Sequence, residues 1–381
     1  MATTVKIAVK DQNLVSSLQD FFKTMLRDGD ITGLMVAQHL PAKSSVMPTL
    51  VTDPDKLDAV DPLAPVFPMN AAKVVSKLTR KPLGGKVAVV LRPCEIRAFI
   101  ELVKLKQGRV DDVVLVGIDC LGAYSNVHYP AFVGEDGMEA TARFYRNIQE
   151  GKGTAGDGFD LSPACKACEY PIAENADVLI GLVGVDFNDH LLAKANTDKG
   201  QELLDNLGLS STSEPEKRKK EIEKLVAERI AYRDQMFAET SEATADLEKL
   251  VNYLSNCVNC YNCRVACPVC YCRECVFLTD VFDHEPSQYL RWAKRKGILK
   301  MPTDTVFFHL TRMAHMSTAC IGCGQCSNAC PNNIPVMEIF RTVAHQTQKA
   351  FDYEAGRSLD DEPPLSIFRE DEFQEVVAKM H

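Results

Sequence analysis

Cys257-Val-Asn-Cys260-Tyr-Asn-Cys263-Arg-Val-Ala-Cys267-Pro268, with its echo Cys320-Ile-Gly-Cys323-Gly-Gln-Cys326-Ser-Asn-Ala-Cys330-Pro331, decides how this chain is read. Three cysteines at two-residue intervals, then a fourth before proline, form the run that holds iron–sulfur clusters. The spacing has a geometric reason. A cubane leaves one open position on each of its four irons. Two intervening residues curl the backbone so that successive thiolates reach different irons of one cube. The fourth cysteine leaves on another heading and reaches the other cube. Cys257, Cys260, Cys263 and Cys330 are therefore expected on one 4Fe-4S cluster, and Cys320, Cys323, Cys326 and Cys267 on a second. Zinc is the rival reading, but zinc motifs pair cysteines two and two across a longer gap.

The bulk properties fit a redox protein. The 381 residues suggest two or three domains, and a hydrophobic fraction of 46% supplies a core. Net charge is −9, and no basic patch dominates, so nucleic acid is not an expected partner. The longest apolar run, around Val178 to Val185, is too short for a transmembrane helix. The opening Met-Ala-Thr-Thr-Val-Lys has no long apolar stretch, so no secretory signal is expected. Fifteen cysteines at ligand spacings imply a reducing, cytoplasmic compartment in which thiols remain available to metals.

Residues 1–120 read as alternating strands and helices. Val5–Val9, Ile31–Ala37, Lys86–Leu91 and Val113–Ile118 are expected strands. Leu14–Leu26 and a stretch opened by Pro93 are expected helices, with Ile96, Phe99, Ile100 and Val103 on one face. Strand, helix, strand argues a parallel α/β unit. Cys94 opens that second helix, and Cys120 follows the next strand. Both then emerge on one rim of the sheet, where ligand sites concentrate. Two buried packing thiols are the alternative. Leu121–Ala164 reads as an irregular excursion ending in Cys165-Lys-Ala-Cys168, a pair that alone could serve zinc, redox chemistry or neither. Ala176–Gly184 reads as a further buried strand.

At this point the residues resemble a known family. Arg92-Pro93-Cys94-Glu95, Gly117-Ile-Asp-Cys120, Cys165-Lys-Ala-Cys168, the Ala176–Gly184 strand and Thr197-Asp-Lys-Gly200 are similar to the beta subunits of coenzyme F420-reducing hydrogenase and formate dehydrogenase. The resemblance covers roughly residues 1–210. It implies FAD and a third 4Fe-4S cluster on Cys94, Cys120, Cys165 and Cys168 beside the flavin ring. Lys86, Arg92 and Arg97 are the cations expected near the pyrophosphate. Two places depart from the family. Its Gly-Gly-Xaa-Xaa-Thr-Ala loop is replaced by Gln12–Ser17, and its Gly-Ser-Lys-Tyr segment by Pro65–Asn70.

The expected fold is an α/β flavin and 4Fe-4S domain over 1–210, followed by an α+β two-cluster ferredoxin-like domain over 249–345. A helical linker at 211–248 joins them, and 346–381 forms an acidic, solvated tail with a short helix from Asp371. Cys270, Cys272 and Cys275 remain after twelve cysteines are assigned. His309 and His315 are expected on a helix begun by Asp304, where either could donate to a ligand.

The expected function is electron transfer in a cytoplasmic complex. A soluble hydride carrier (coenzyme F420 or NAD(P)H) would reduce FAD, and three clusters would pass single electrons on. The partner would be a formate dehydrogenase, hydrogenase or heterodisulfide-reductase-like subunit. The alternatives are a stand-alone flavin/iron–sulfur reductase of an organic substrate, a flavin-free ferredoxin-type conduit, and a metal-stapled interaction protein.

Overall fold

The computed structural model describes residues 3–41, 45–154, 158–282, 284–297 and 304–366. Seven strands form one mixed sheet: β1 (Thr4–Ala8), β2 (Gly33–His39), β3 (Val46–Val51), β4 (Val87–Leu91), β5 (Val113–Ile118), β6 (Val178–Gly181) and β7 (His190–Ala195), in the order β1-β7-β6-β5-β4-β2-β3. The centre β2-β4-β5-β6 is parallel, with Val87 opposite Val113 and Val116 opposite Val178. The outer pairs β2-β3, β6-β7 and β1-β7 are antiparallel. Every residue of β4 and β5 is buried. That is the reason they read as unbroken apolar runs, since helices cover a parallel sheet on both faces.

One face packs against α1 (Leu14–Asp28) through Leu18, Phe22 and Met25. The other packs against α2 (Pro93–Lys104) through Ile96, Phe99 and Ile100. The 121–164 stretch is more ordered than its glycines suggested. It contains Tyr129–Val133 and α3 (Met138–Gln149), which bury Tyr129, Phe132, Phe144 and Tyr145. Gly134 and Gly137, both at positive φ, break the helical pattern and disguise it as loop. Edge strands β1 and β3 and helix α4 (Asp198–Asn206) complete this half.

Beyond residue 196 no strand occurs among the described residues, so the expected α+β ferredoxin-like region is helical there. Its core is Leu254, Phe277, Phe308, Met313, Ile339 and Phe340, with cysteine thiols packed against it. The cysteine-bearing loops leave little chain for strands, and two helices carry the apolar contacts.

The expected linker is a brace. Helix α5 (Glu216–Ala243) buries Arg218, Arg229, Met236 and Thr240, while Ile222, Leu225, Val226 and Ile230 are only half-buried. Arg218 donates to Asp119 Oδ2 at 2.6 Å, and the same carboxylate accepts the Leu182 and Val183 amides. Eleven residues on, three helical turns, Arg229 faces the same side.

The described start of the tail, around 353–356, is likewise packed rather than solvated. Tyr353 and Ala355 are buried, Tyr353 Oη and the Gly356 amide both donate to Glu101 Oε1 at 2.6 Å, and Arg97 Nη2 donates to the Ala355 carbonyl at 2.6 Å. The helix expected from Asp371 lies outside the described residues. No described helix is long and apolar enough to cross a membrane.

Candidate iron–sulfur centres

The carboxyl ends of β4 and β5 deliver Cys94 and Cys120 to one rim. A short turn opened by Pro163 brings Cys165 and Cys168 to it. The four line one cavity together with Arg92, Arg229, Gly322 and Cys323. We term them the rim set. Burial pushes the Cys120 thiol up to about 11, with Cys165 adding to the shift and Arg92 and Arg229 opposing it. Burial also drives Cys94 well above its ordinary range, and Glu95, Cys120 and Cys323 reinforce it. Metal loading at such thiols must displace protons.

Cys267, Cys320, Cys323 and Cys326 form an inner set. Burial raises the Cys326 thiol far above normal, and its neighbours Cys267, Cys323 and Cys320 contribute while Arg312 opposes. Cys257, Cys260, Cys263 and Cys330 form an outer set. Burial pushes Cys263 up to about 11 against the pull of Arg312, and Cys257, Cys260 and Cys330 add to it. The fourth cysteine of each run thus lies with the other run's triplet. Among the described residues no three Cys, His, Asp or Glu side chains converge as one metal ion would require. Two runs of three closely spaced cysteines, each closed by Cys-Pro, suit cubanes better than zinc, whose motifs pair cysteines two and two.

Helix α6 (Thr305–Met316) serves the outer and inner sets. Arg312 Nη1 donates to Cys263 Sγ at 3.1 Å and Nη2 to the Cys263 carbonyl at 3.2 Å. Its guanidinium lies 4.7 Å from the Phe340 ring centroid and 5.5 Å from that of Phe308. His309 Nε2 lies 3.4 Å from Cys257 Sγ. Burial, with the Arg312 charge adding to it, holds this imidazole down at about 4, so it is neutral and donates from Nε2 in one tautomer. His315 is exposed and makes no such contact.

At the rim, Arg229 donates to the Cys120 carbonyl at 3.1 Å and to the Cys168 carbonyl at 3.4 Å. Neither Arg229 nor Arg312 was singled out from sequence. Arg312 carried a signal: it falls four residues after Phe308, on the apolar face of an otherwise legible helix.

The junction between rim and inner sets is tight. Gly324 has φ 78°, and a Cβ there would stand 2.4 Å from that of Ala164. Gln325 Nε2 and Asn328 Nδ2 both donate to the Phe67 carbonyl, at 2.8 and 3.0 Å. Helix α7 (Val336–Ala350) adds Arg341, paired with Glu169 one residue past Cys168.

The cations expected around a flavin are not gathered on this rim. Lys86 is at the amino end of β4, the opposite edge of the sheet, paired with Asp30 and Glu202. Arg97 is buried against the Tyr170 ring and the Ala355 carbonyl. Only Arg92 stays beside the thiols, and it donates to the Ala64 carbonyl at 2.7 Å with Phe67 alongside. The shared cavity has about 20 Å³ of open volume, against several hundred for a dinucleotide pocket. A roomier cleft, about 520 Å³, lies where the family's flavin loop is replaced, beside Gln12 and Asn13. Asp11, Glu139 and Glu150 line it against one Arg146, the wrong charge balance for a pyrophosphate. FAD does not fit the residues present at either place.

Residues 84–217 match the family model for the carboxyl-terminal part of the coenzyme F420 hydrogenase/dehydrogenase beta subunit, and residues 252–334 match the 4Fe-4S dicluster domain. The chain thus carries the carboxyl-terminal domain of the coenzyme F420 hydrogenase/dehydrogenase beta subunit together with a 4Fe-4S dicluster domain. It is 26% identical over 369 residues to the F420-dependent formate dehydrogenase subunit beta of Methanocaldococcus jannaschii, covering 90% of this chain and 92% of that protein. It is 26% identical over 379 residues to the F420-dependent formate dehydrogenase 1 subunit beta of Methanococcus maripaludis, covering 91% of each. A chain of the F420-reducing NiFe hydrogenase complex from Methanosarcina barkeri aligns with TM-score 0.47 and 18% identity over 65% of this chain and 94% of its own. These matches mark the chain as an oxidoreductase subunit. Of the surplus thiols, Cys272 is exposed, while Cys270 and Cys275 pack half-buried against the helical core.

Proposed function

We propose that this chain is the iron–sulfur conduit of a complex related to F420-dependent formate dehydrogenase or hydrogenase. In this reading the rim, inner and outer sets each hold one 4Fe-4S cluster. Each cluster, when bound, takes up and gives back one electron. The observation that carries the reading is Cys323, an inner-set thiol that lines the cavity of the rim set. It supports three adjacent centres in the order rim, inner, outer. The chain's own residues exclude water from the first two, bring Arg92 and Arg229 against the rim thiols, and place Arg312 between inner and outer thiols. Buried guanidinium groups offset the negative charge of thiolate-ligated clusters, which would otherwise be costly to desolvate.

FAD does not fit the residues at either cavity, so the conduit runs through the thiol sets alone. Hydride carriers such as coenzyme F420 or NAD(P)H would meet the conduit through a partner subunit. That partner is a formate dehydrogenase, hydrogenase or heterodisulfide-reductase-like subunit. Anaerobic purification tests this reading directly. About twelve irons with matching sulfide and no stoichiometric flavin are expected. One FAD per chain would overturn the flavin-free conduit, eight irons would remove the rim centre, and a colourless iron-free protein would end the redox reading.

A further inference from the structure

Helix α2 carries the rim thiol Cys94 in its first turn and presents Arg97 and Glu101 one and two turns later on the same side. Both are buried, and both hold the segment 353–356. Glu101 Oε1 accepts from Tyr353 Oη and from the Gly356 amide, each at 2.6 Å, and Lys104 Nζ stands 2.7 Å from it. Arg97 Nη2 donates to the Ala355 carbonyl. Gly356 lies so close to α2 that a Cβ would stand 2.4 Å from that of Arg97, an approach only glycine permits. The same segment reaches the inner set through one side chain. Gln348 Oε1, on α7, accepts from the Ala355 amide at 3.2 Å, and its Nε2 donates to the Cys320 carbonyl at 2.9 Å. Ile321, next to Cys320, packs with Tyr353, Ala355 and Ile96 in one apolar cluster.

A continuous run of contacts therefore joins the helix that carries Cys94 to the loop that carries Cys320, by way of 353–356. We propose that residues 353–356 form a strap that sets the position of the inner centre against the rim centre, with Glu101 and Gln348 as its positioning residues. The proposal rests on the conduit reading above and adds what fixes the spacing of its first two members. Two features favour positioning over ordinary packing of a chain end. A buried carboxylate is costly to leave short of donors, and the strap brings Glu101 both the Tyr353 hydroxyl and the Gly356 amide. The junction is also tied at the Phe67 carbonyl and by Arg341 with Glu169. Those contacts grip Gln325, Asn328 and α7, whereas Gln348 grips the carbonyl of a ligand residue itself. Release of the strap thus frees Cys320 while the remaining ties keep the two halves together.

The test uses the full chain, purified anaerobically. Gly356→Ala drives a methyl group against Arg97 and releases the strap. Gly208→Ala is the control: it imposes a similar left-handed strain where a Cβ meets nothing within 4 Å. Iron content, EPR of the fully reduced protein and hydrogen exchange are read for each. Neighbouring reduced clusters split one another's signals through their magnetic dipoles, an effect that falls steeply with separation. Both variants are expected to hold about twelve irons. Gly356→Ala is expected to weaken the rim–inner splitting and to speed exchange at 318–323, and Gly208→Ala to leave both as in wild type. Should Gly356→Ala fail to fold, Gln348→Ala cuts the link to Cys320 and carries the same two expectations. Wild-type splitting and exchange in the folded variant, or equal changes in Gly208→Ala, would overturn the strap. A fully iron-loaded unsubstituted chain without rim–inner splitting would overturn the conduit order instead, and exchange at 318–323 would still decide the strap.

Discussion

Replacing Arg312 by Gln removes a buried positive charge that touches the outer thiols and neighbours the inner ones. Arg312 is 4% exposed and donates to Cys263 Sγ at 3.1 Å. Its charge then lies about 6 Å from the centre of a cube bound there, and at an effective dielectric of about 20 the interaction is ~2.8 kcal/mol. For one electron that is on the order of 120 mV, since about 59 mV corresponds to 1.4 kcal/mol. Salt screens a buried pair weakly, so little of this is lost to ions. The sign is fixed: a positive charge favours the reduced, more negative cluster, so Arg312→Gln lowers the potential. EPR-monitored redox titration should show the outer centre falling on the order of 100 mV and the inner centre falling less. Arg312→Lys retains the charge and should recover most of the shift while losing the planar contact to Phe308 and Phe340. Full iron content with both potentials within about 20 mV of wild type would refute the electrostatic argument.

Cys267→Ser should disturb the centre of Cys320, Cys323 and Cys326 and spare that of Cys257, Cys260 and Cys263; spectroscopic loss at the latter would show that each run closes on itself. Cys94→Ser should reduce iron from about twelve to about eight per chain and leave the ferredoxin-type signals. Unchanged iron would remove the rim set. Arg218→Ala strands the Asp119 carboxylate, whose side chain is fully buried, and should destabilise the chain by about 3–5 kcal/mol. Thermal denaturation that moves by less than 1 °C would show the pair to be dispensable.

The sequence alone marked the candidate donors. Two-residue cysteine spacing is a local property of the backbone, so two complete runs were readable without any knowledge of packing. β4, α2 and β5 were readable for a similar reason: buried parallel strands are unbroken apolar runs, and Pro93 marks a helix start. Tertiary structure decided what stands between the donors. Arg229 reaches the rim from α5, which the Arg218–Asp119 pair pins at one end and α7 packs against. The inner set meets the rim set only because Gly324 lets a loop touch Ala164. The cations expected at a flavin were separated by the same means. Lys86 and Arg92 are six residues apart, yet a five-residue strand carries them to opposite edges of the sheet, and the 353–356 segment claims Arg97. Spacing along the chain is local, whereas neighbours across it are chosen by packing, and these charges answer to packing.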